Sequence, residues 1–167
     1  MSVDRNGFSL FELIVIVAIL VIVLAIAMPL LSKYLKQYRI DNEINTLYSN
    51  LVKQRFKSMN SGIPQGIRFD STLKYTLFEF DDKNYNLKFD GVNEERDRKS
   101  VTVSYSFNSN VVGKVIMFDS DGIARDENWG IGGLTVYVNF PANHNCVKVH
   151  ISRIKLGVWN GSNCEIK

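Results

Sequence analysis

The chain begins with one long apolar run, passes into an amphipathic stretch, and then breaks into short alternating segments. Between residues 8 and 31 the single charge is Glu12, and residues 13–31 carry none. Wound as an α-helix, residues 13–31 rise roughly 28 Å, the thickness of a bilayer's hydrocarbon core. Residues 8–31 are therefore predicted to span a membrane. Beyond them, Leu31, Tyr34, Leu35, Tyr38, Ile44, Leu47, Tyr48, Leu51, Val52 and Phe56 recur at spacings of three and four. Lys33, Lys36, Arg39, Asp41 and Glu43 fall largely on the other faces. That period predicts a helix whose apolar stripe packs on a sheet. Asn60-Ser61-Gly62 followed by Pro64 marks its end. One helix over 8–60 would be roughly 80 Å long if unbroken.

After Gly62 the period changes to two. Strands are predicted at 67–69, 75–80, 85–89, 101–107, 111–118, 134–140, 147–151 and 154–159, with a hairpin turn at 81–84 and a charged surface loop at 94–99. Inward parity passes from Val147, Val149 and Ile151 to Ile154, Leu156 and Val158, which requires a bulge or tight turn near Ser152-Arg153. The expected fold class is α+β: a long N-terminal helix, its first half transmembrane, packed on an antiparallel head of one sheet or two small ones, with the head over 61–167.

Composition sharpens this picture through its asymmetry. The 46% hydrophobic and 22% charged residues are average for a globular chain of 167, but almost all the charge lies after Leu31. A net charge of +3 is too small to argue for nucleic acid or an anionic surface. The two cysteines, Cys146 and Cys164, are an even count in a chain with an export-like segment. One disulfide is expected over two buried thiols, contributing about 3 kcal/mol through loop closure.

Several readings compete for the apolar run. Ala25-Ile26-Ala27 resembles a signal-peptidase site, but Arg5 is offset by Asp4 and Glu12 where a secretory signal is net positive. A plain signal anchor explains the length but not Glu12. A buried helix of a soluble protein does not reach this length without charge. Glu12 is costly at the edge of a span, and such residues face a partner rather than lipid. Gly7, then Phe8, then Glu12 four residues on, leading into the apolar run, resembles the prepilin signal of type IV pilins and type II secretion pseudopilins.

That resemblance implies a mechanism. A prepilin peptidase would cut between Gly7 and Phe8, removing the cytoplasmic leader 1–7, and Phe8 would be N-methylated. Glu12 would neutralise the new amino terminus of a neighbouring subunit during assembly, and Pro29 would kink or loosen the helix. Implied partners are other pilin or pseudopilin subunits, the peptidase and an inner-membrane assembly platform. The implied location is the bacterial inner membrane, single-pass with a periplasmic head, and then a filament.

In the head, the run from Ile116 to Ala124, containing Asp119-Ser120-Asp121-Gly122, resembles a hairpin entry of the GspH/FimT family of minor pilins and pseudopilins. Residues 134–140, then 146–159 with Gly157, are similar to its C-terminal block. Some members of that family bind DNA through a Gly-Arg-x-Arg motif. Here Gly157-Val158-Trp159-Asn160 lacks both arginines, so Lys148, Arg153, Lys155 and Trp159 read first as a solvated basic face with a core tryptophan. DNA contact is the subordinate reading, as is a singly anchored periplasmic protein. Asp119 and Asp121 are a weak calcium candidate, because the spacing fails the EF-hand pattern and an Asp-Gly turn explains the same residues. His144 and His150 are too few for a metal site, and Gly130-Ile131-Gly132-Gly133 reads as a loop. With no catalytic, phosphate or dinucleotide motif, neither an enzyme nor a cofactor is expected.

Overall fold

The computed structural model describes residues 9–166, so the expected cleavage site at Gly7 and Phe8 lies outside the described residues. The helix α1 (Leu10–Ser61) continues without interruption through Pro29. It ends where the sequence indicates. Gly62 adopts φ 69°, and its N–H donates to the Ser58 carbonyl at 2.9 Å, a left-handed cap. The chain divides after Lys36 into two compact units.

The first unit is the apolar arm, and every described residue up to Leu35 is exposed within the chain. The second unit contains the rest of α1 and two antiparallel sheets. Strands β1 (Gln65–Ser71), β2 (Lys74–Phe80), β3 (Glu95–Thr102), β4 (Val115–Phe118) and β5 (Ala124–Arg125) form a five-stranded sheet in the order β3-β2-β1-β4-β5. Strands β6 (Leu134–Tyr137), β7 (Cys146–Val149), β8 (Ile154–Trp159) and β9 (Cys164–Ile166) form a meander. The fold is thus α+β with two sheets.

One core unites helix and sheets. Ile40, Ile44, Leu47 and Leu51 of α1 cluster with Ile67, Phe69, Tyr75, Ile116 and Phe118 of the first sheet, and with Val136, Val147 and Val149 of the second. The buried face of α1 continues through Gln54 and Ser58. Gln54 donates from Nε2 to the carbonyls of Gly66 and Phe78, at 3.1 and 3.3 Å, so a polar residue is satisfied where the stripe was expected to be apolar. The predicted stripe therefore needs correction at both ends. Leu31, Tyr34, Leu35 and Tyr38 are exposed, and Phe56, two residues beyond Gln54 and hence on the opposite side of the helix, is 59% exposed.

Inside this core the Tyr75 hydroxyl accepts from Asn50 Nδ2 at 2.8 Å. Burial pushes its phenol above the ordinary value, with the nearby Glu43 charge adding and the Asn50 bond opposing. The unfolded chain releases that proton first, so the contribution is complete below the ordinary tyrosine value and is lost as pH rises past it. Between about pH 9 and about pH 11, the urea midpoint of the wild type should fall further than that of Tyr75→Phe. Equal falls would exclude Tyr75 as the titrating group.

The other face of the first sheet holds a second apolar cluster: Phe78, Phe80, Val115 and Met117, packed under Phe89 and Trp129. Gly66 lies directly opposite Phe78, and the ring covers it so closely that a Cβ at 66 would stand 2.3 Å from Cζ. The ring is a side chain and can shift, so Gly66→Ala is expected to cost about 1–2 kcal/mol, read as a lowered denaturation midpoint. The loss should be smaller in a Phe78→Leu background, where the clash is absent.

Several strand expectations are overturned. Residues 85–89 form a loop, because side chains there outcompete a ladder. The Asp82 carboxylate accepts the N–H groups of Asn86 and Leu87, while Asn84 and Asn86 both donate to Asp90. The expected turn at 81–84 is the start of that loop. Conversely, 94–99 is not a surface loop. Its residues from Glu95 onward open edge strand β3, and their charges find partners on neighbouring elements: Glu95 with Arg68, Arg96 with Asp81, and Asp97 with Lys57. A charged edge also resists unwanted pairing.

The segment 101–107 is strand only to Thr102. Beyond it, the Glu43 carboxylate captures the Ser104 and Tyr105 N–H groups, at 2.8 and 3.2 Å. The segment 111–118 ends a 3₁₀ turn before β4 begins at Val115. Strand 134–140 stops at Tyr137, and Ile151, expected inward, is exposed. The turn near Ser152-Arg153 is tight, with His150 N–H donating to the Arg153 carbonyl at 2.7 Å.

Candidate functional site in the arm and the head

Two regions hold the residues singled out in the sequence. In the arm, α1 presents Glu12 in its first described turn, where the Leu13 N–H donates to the Ser9 carbonyl at 3.2 Å. A carboxylate near a helix N-terminus gains about 0.3–1 kcal/mol from the helix dipole. This favours the helix but does not offset the cost of placing the charge at the edge of a hydrocarbon core. All the apolar side chains that follow are exposed, and α1 is long and apolar enough to cross a membrane. Up to Leu31 the arm thus carries one charge among its described residues and a large unburied apolar surface, which a membrane or other helices would cover. Pro29 lies inside the helix with no N–H to donate to the carbonyl of Ala25 one turn earlier.

In the head, Asp119 is consumed by its own turn. Oδ1 accepts from the N–H groups of Asp121 and Ile123, at 3.0 and 2.9 Å, and Oδ2 pairs with Arg125 Nε at 2.9 Å. The calcium candidate thus has a first member already committed to protein donors and a second, Asp121, that is exposed. Among the described residues, no group of three or more His, Cys, Asp and Glu side chains is placed to hold a metal. His144 binds Asp41 of α1 through Nδ1 at 3.0 Å, tying the β6–β7 connection to the helix.

The basic candidates lie on the second sheet. Lys148 and Lys155 stand directly opposite each other on β7 and β8, and Arg153 is exposed in the turn joining those strands. Trp159 is stacked on Tyr137, with ring centroids 3.7 Å apart and planes within 4°. One indole face is therefore already covered. Tyr137 was not singled out from the sequence, although period-two alternation across the sheet would have placed it on the same outer face.

The same sheet carries the disulfide. Cys146 on β7 and Cys164 on β9 are bonded, with Cα atoms 6.0 Å apart. Gly157 of the intervening strand lies opposite Cys146, and a Cβ there would meet Cys164 Sγ at 2.9 Å and the Glu165 carbonyl oxygen at 2.3 Å. The glycine noted as a family-like feature thus has a physical reason of its own. It lets β9 approach closely enough for the bridge to close.

Residues 4–28 match the family described as the prokaryotic N-terminal methylation motif, a match that spans Gly7, Phe8, Glu12 and most of the apolar run. No curated protein and no solved structure matches the chain.

Proposed function

We propose that this type IV pilin-like protein is a minor pilin or pseudopilin, a structural subunit of a type IV pilus or type II secretion pseudopilus. The observation that carries the reading is the single carboxylate, Glu12, in the first turn of a helix that is otherwise apolar and exposed up to Leu31, within the matched methylation motif. A prepilin peptidase cuts between Gly7 and Phe8 on the cytoplasmic face, and the new terminus of Phe8 is methylated. The arm anchors the chain by one span with the head in the periplasm, then passes into the filament. There Glu12 pairs with the Phe8 amine of a neighbouring subunit, because two charges that are costly alone in a low-dielectric bundle become tolerable together. Pro29 is the point at which the arm bends on packing, since its turn already lacks one hydrogen bond. The resemblance of 116–124, 134–140 and 146–159 to GspH/FimT heads supports the minor class, and the role is structural rather than enzymatic.

Co-expression with a prepilin peptidase tests this reading: the chain should be shortened by the seven-residue leader, and Gly7→Glu should remain full length. Uncut wild-type chain would leave only a membrane anchor. Nucleic acid is a minor alternative. Lys148 and Lys155 lie side by side, but neither arginine of the family motif is present and one face of Trp159 is already covered by Tyr137. The full-length chain in detergent is accordingly expected to bind single-stranded DNA no more tightly than a Lys148→Ala/Arg153→Ala/Lys155→Ala variant. A steep salt dependence lost in that variant would favour the DNA reading.

A further inference from the structure

In the loop after β2, oxygen-bearing side chains recur at every second position: Asp82, Asn84 and Asn86, with Asp90 four residues further on. Side-chain oxygens at the first, third, fifth and ninth places of a loop, with a main-chain carbonyl at the seventh, are how a short loop wraps a calcium ion. Counted from Asp82, the seventh place is Lys88. The sixth place in such loops is glycine, because the backbone turns sharply there. Here it is Leu87, and it makes the same left-handed turn, with φ 58°.

The side chains converge as the spacing implies. Asn84 Nδ2 and Asn86 Nδ2 each lie 2.7 Å from the same oxygen of Asp90, so three residues meet at one point. These two bonds hold the Asp90 carboxyl below its usual range. An ion at that point needs the amide oxygens turned inward. Each then gives up a main-chain N–H, that of Asn86 at 3.2 Å and that of Lys88 at 2.7 Å, which limits the affinity. Two of the four side-chain donors are amides, so no group of three His, Cys, Asp or Glu side chains marks the loop.

A buried charge outside this ring points independently to a cation. Glu94, in the 3₁₀ turn that closes the loop, is 4% exposed. Its Oε2 accepts the Asp90 N–H at 2.8 Å, which sets the carboxylate at the base of the loop. Among the described residues its other oxygen accepts no hydrogen bond, and no lysine, arginine or histidine lies within ion-pair distance. A carboxylate buried without a counter-charge is costly, and a metal ion offsets that cost. The closing carboxylate of a calcium loop stands at the twelfth place, and Glu94 is one residue beyond it. The adjacent acids are paired elsewhere, Asp81 with Arg96 and Glu95 with Arg68.

We propose that residues 82–94 form a calcium site, with Asp82, Asn84, Asn86, Asp90 and the Lys88 carbonyl around the ion and the Glu94 carboxylate beneath it. Lys83 and Lys88 are exposed and oppose the three carboxylates, so the affinity falls at about 10⁻⁴–10⁻³ M, the range of extracellular calcium modules. The site belongs to the head alone and does not depend on cleavage at Gly7 or on Glu12.

The test titrates calcium into the metal-free full-length chain in detergent, followed by calorimetry and by the thermal denaturation midpoint. One ion should bind per chain and raise the midpoint, and magnesium at the same concentration should not. Asp90→Ala and Glu94→Gln should each weaken binding roughly tenfold or more, whereas Lys83→Gln/Lys88→Gln should tighten it. Glu94→Gln keeps an acceptor for the Asp90 N–H and removes the buried charge, so it should also raise the midpoint of the metal-free chain. No binding up to about 10 mM calcium would overturn the proposal. So would binding indifferent to Asp90→Ala, binding lost in Asp121→Asn, or a metal-free midpoint lowered by Glu94→Gln.

Discussion

A chain carrying Glu12→Ala should insert into the membrane and be cleaved normally, yet fail to enter filaments. Glu12 is the single charge between residues 8 and 31, so its removal makes the arm a better membrane span. Any loss of assembly therefore cannot be ascribed to poor anchoring. In the proposed filament the variant leaves the Phe8 amine of a neighbour charged and without a partner in an apolar bundle. Leaving one member of a buried pair alone costs about 3–5 kcal/mol, which corresponds to a fall in incorporation of roughly a hundredfold or more. Glu12→Asp, which keeps the charge on a shorter stem, should recover part of it. The measurement compares sheared-filament and membrane fractions by immunoblot in a host that assembles the filament. Incorporation of Glu12→Ala at the wild-type level would remove Glu12 from the assembly mechanism.

The second large effect is in the head. Gly157→Ala should lower stability by about 3 kcal/mol, because the clash is with the backbone of β9 and the disulfide sulfur rather than with a ring that can turn aside. This exceeds the effect expected at Gly66, where the neighbour is the Phe78 side chain. For a chain of this size, 3 kcal/mol is about 6–12 °C in Tm. Replacing Cys146 and Cys164 by serine should cost a similar amount, about 3 kcal/mol, through the opened loop. Since both changes act through the docking of β9, the triple variant should lose less than the sum of the two effects. Full additivity would show that Gly157 and the bridge are independent.

The N-terminal arm was the most legible part of the sequence, because an uninterrupted apolar run and one misplaced carboxylate leave few physical alternatives. The helix end at Gly62 and the tight turn at Ser152-Arg153 were also readable, each resting on local chemistry. The structure departs from the strand pattern where local side chains compete with it. Tyr85, Leu87 and Phe89 alternate like a strand, but Asp82, Asn84 and Asn86 between and before them bind the backbone and turn it left-handed. Asparagine and aspartate at every second position were the signal that could have identified this loop. Residues 95–99 depart from the expected loop for the opposite reason. Their charges suggested a loop, yet an edge strand tolerates charge when Arg68, Asp81 and Lys57 on adjacent elements neutralise it. Strands β5 and β9 are too short to show a period, and β9 is held partly by a covalent bond.

A processed anchor and a mere span differ in the mature N-terminus. Intact-mass spectrometry of the chain purified from a host with an active prepilin peptidase separates the two. The mature protein should begin at Phe8, one methyl group heavier than the bare chain, with Cys146 and Cys164 oxidised. A chain beginning at Met1, or one beginning at Met28 after cleavage behind Ala27, would contradict it.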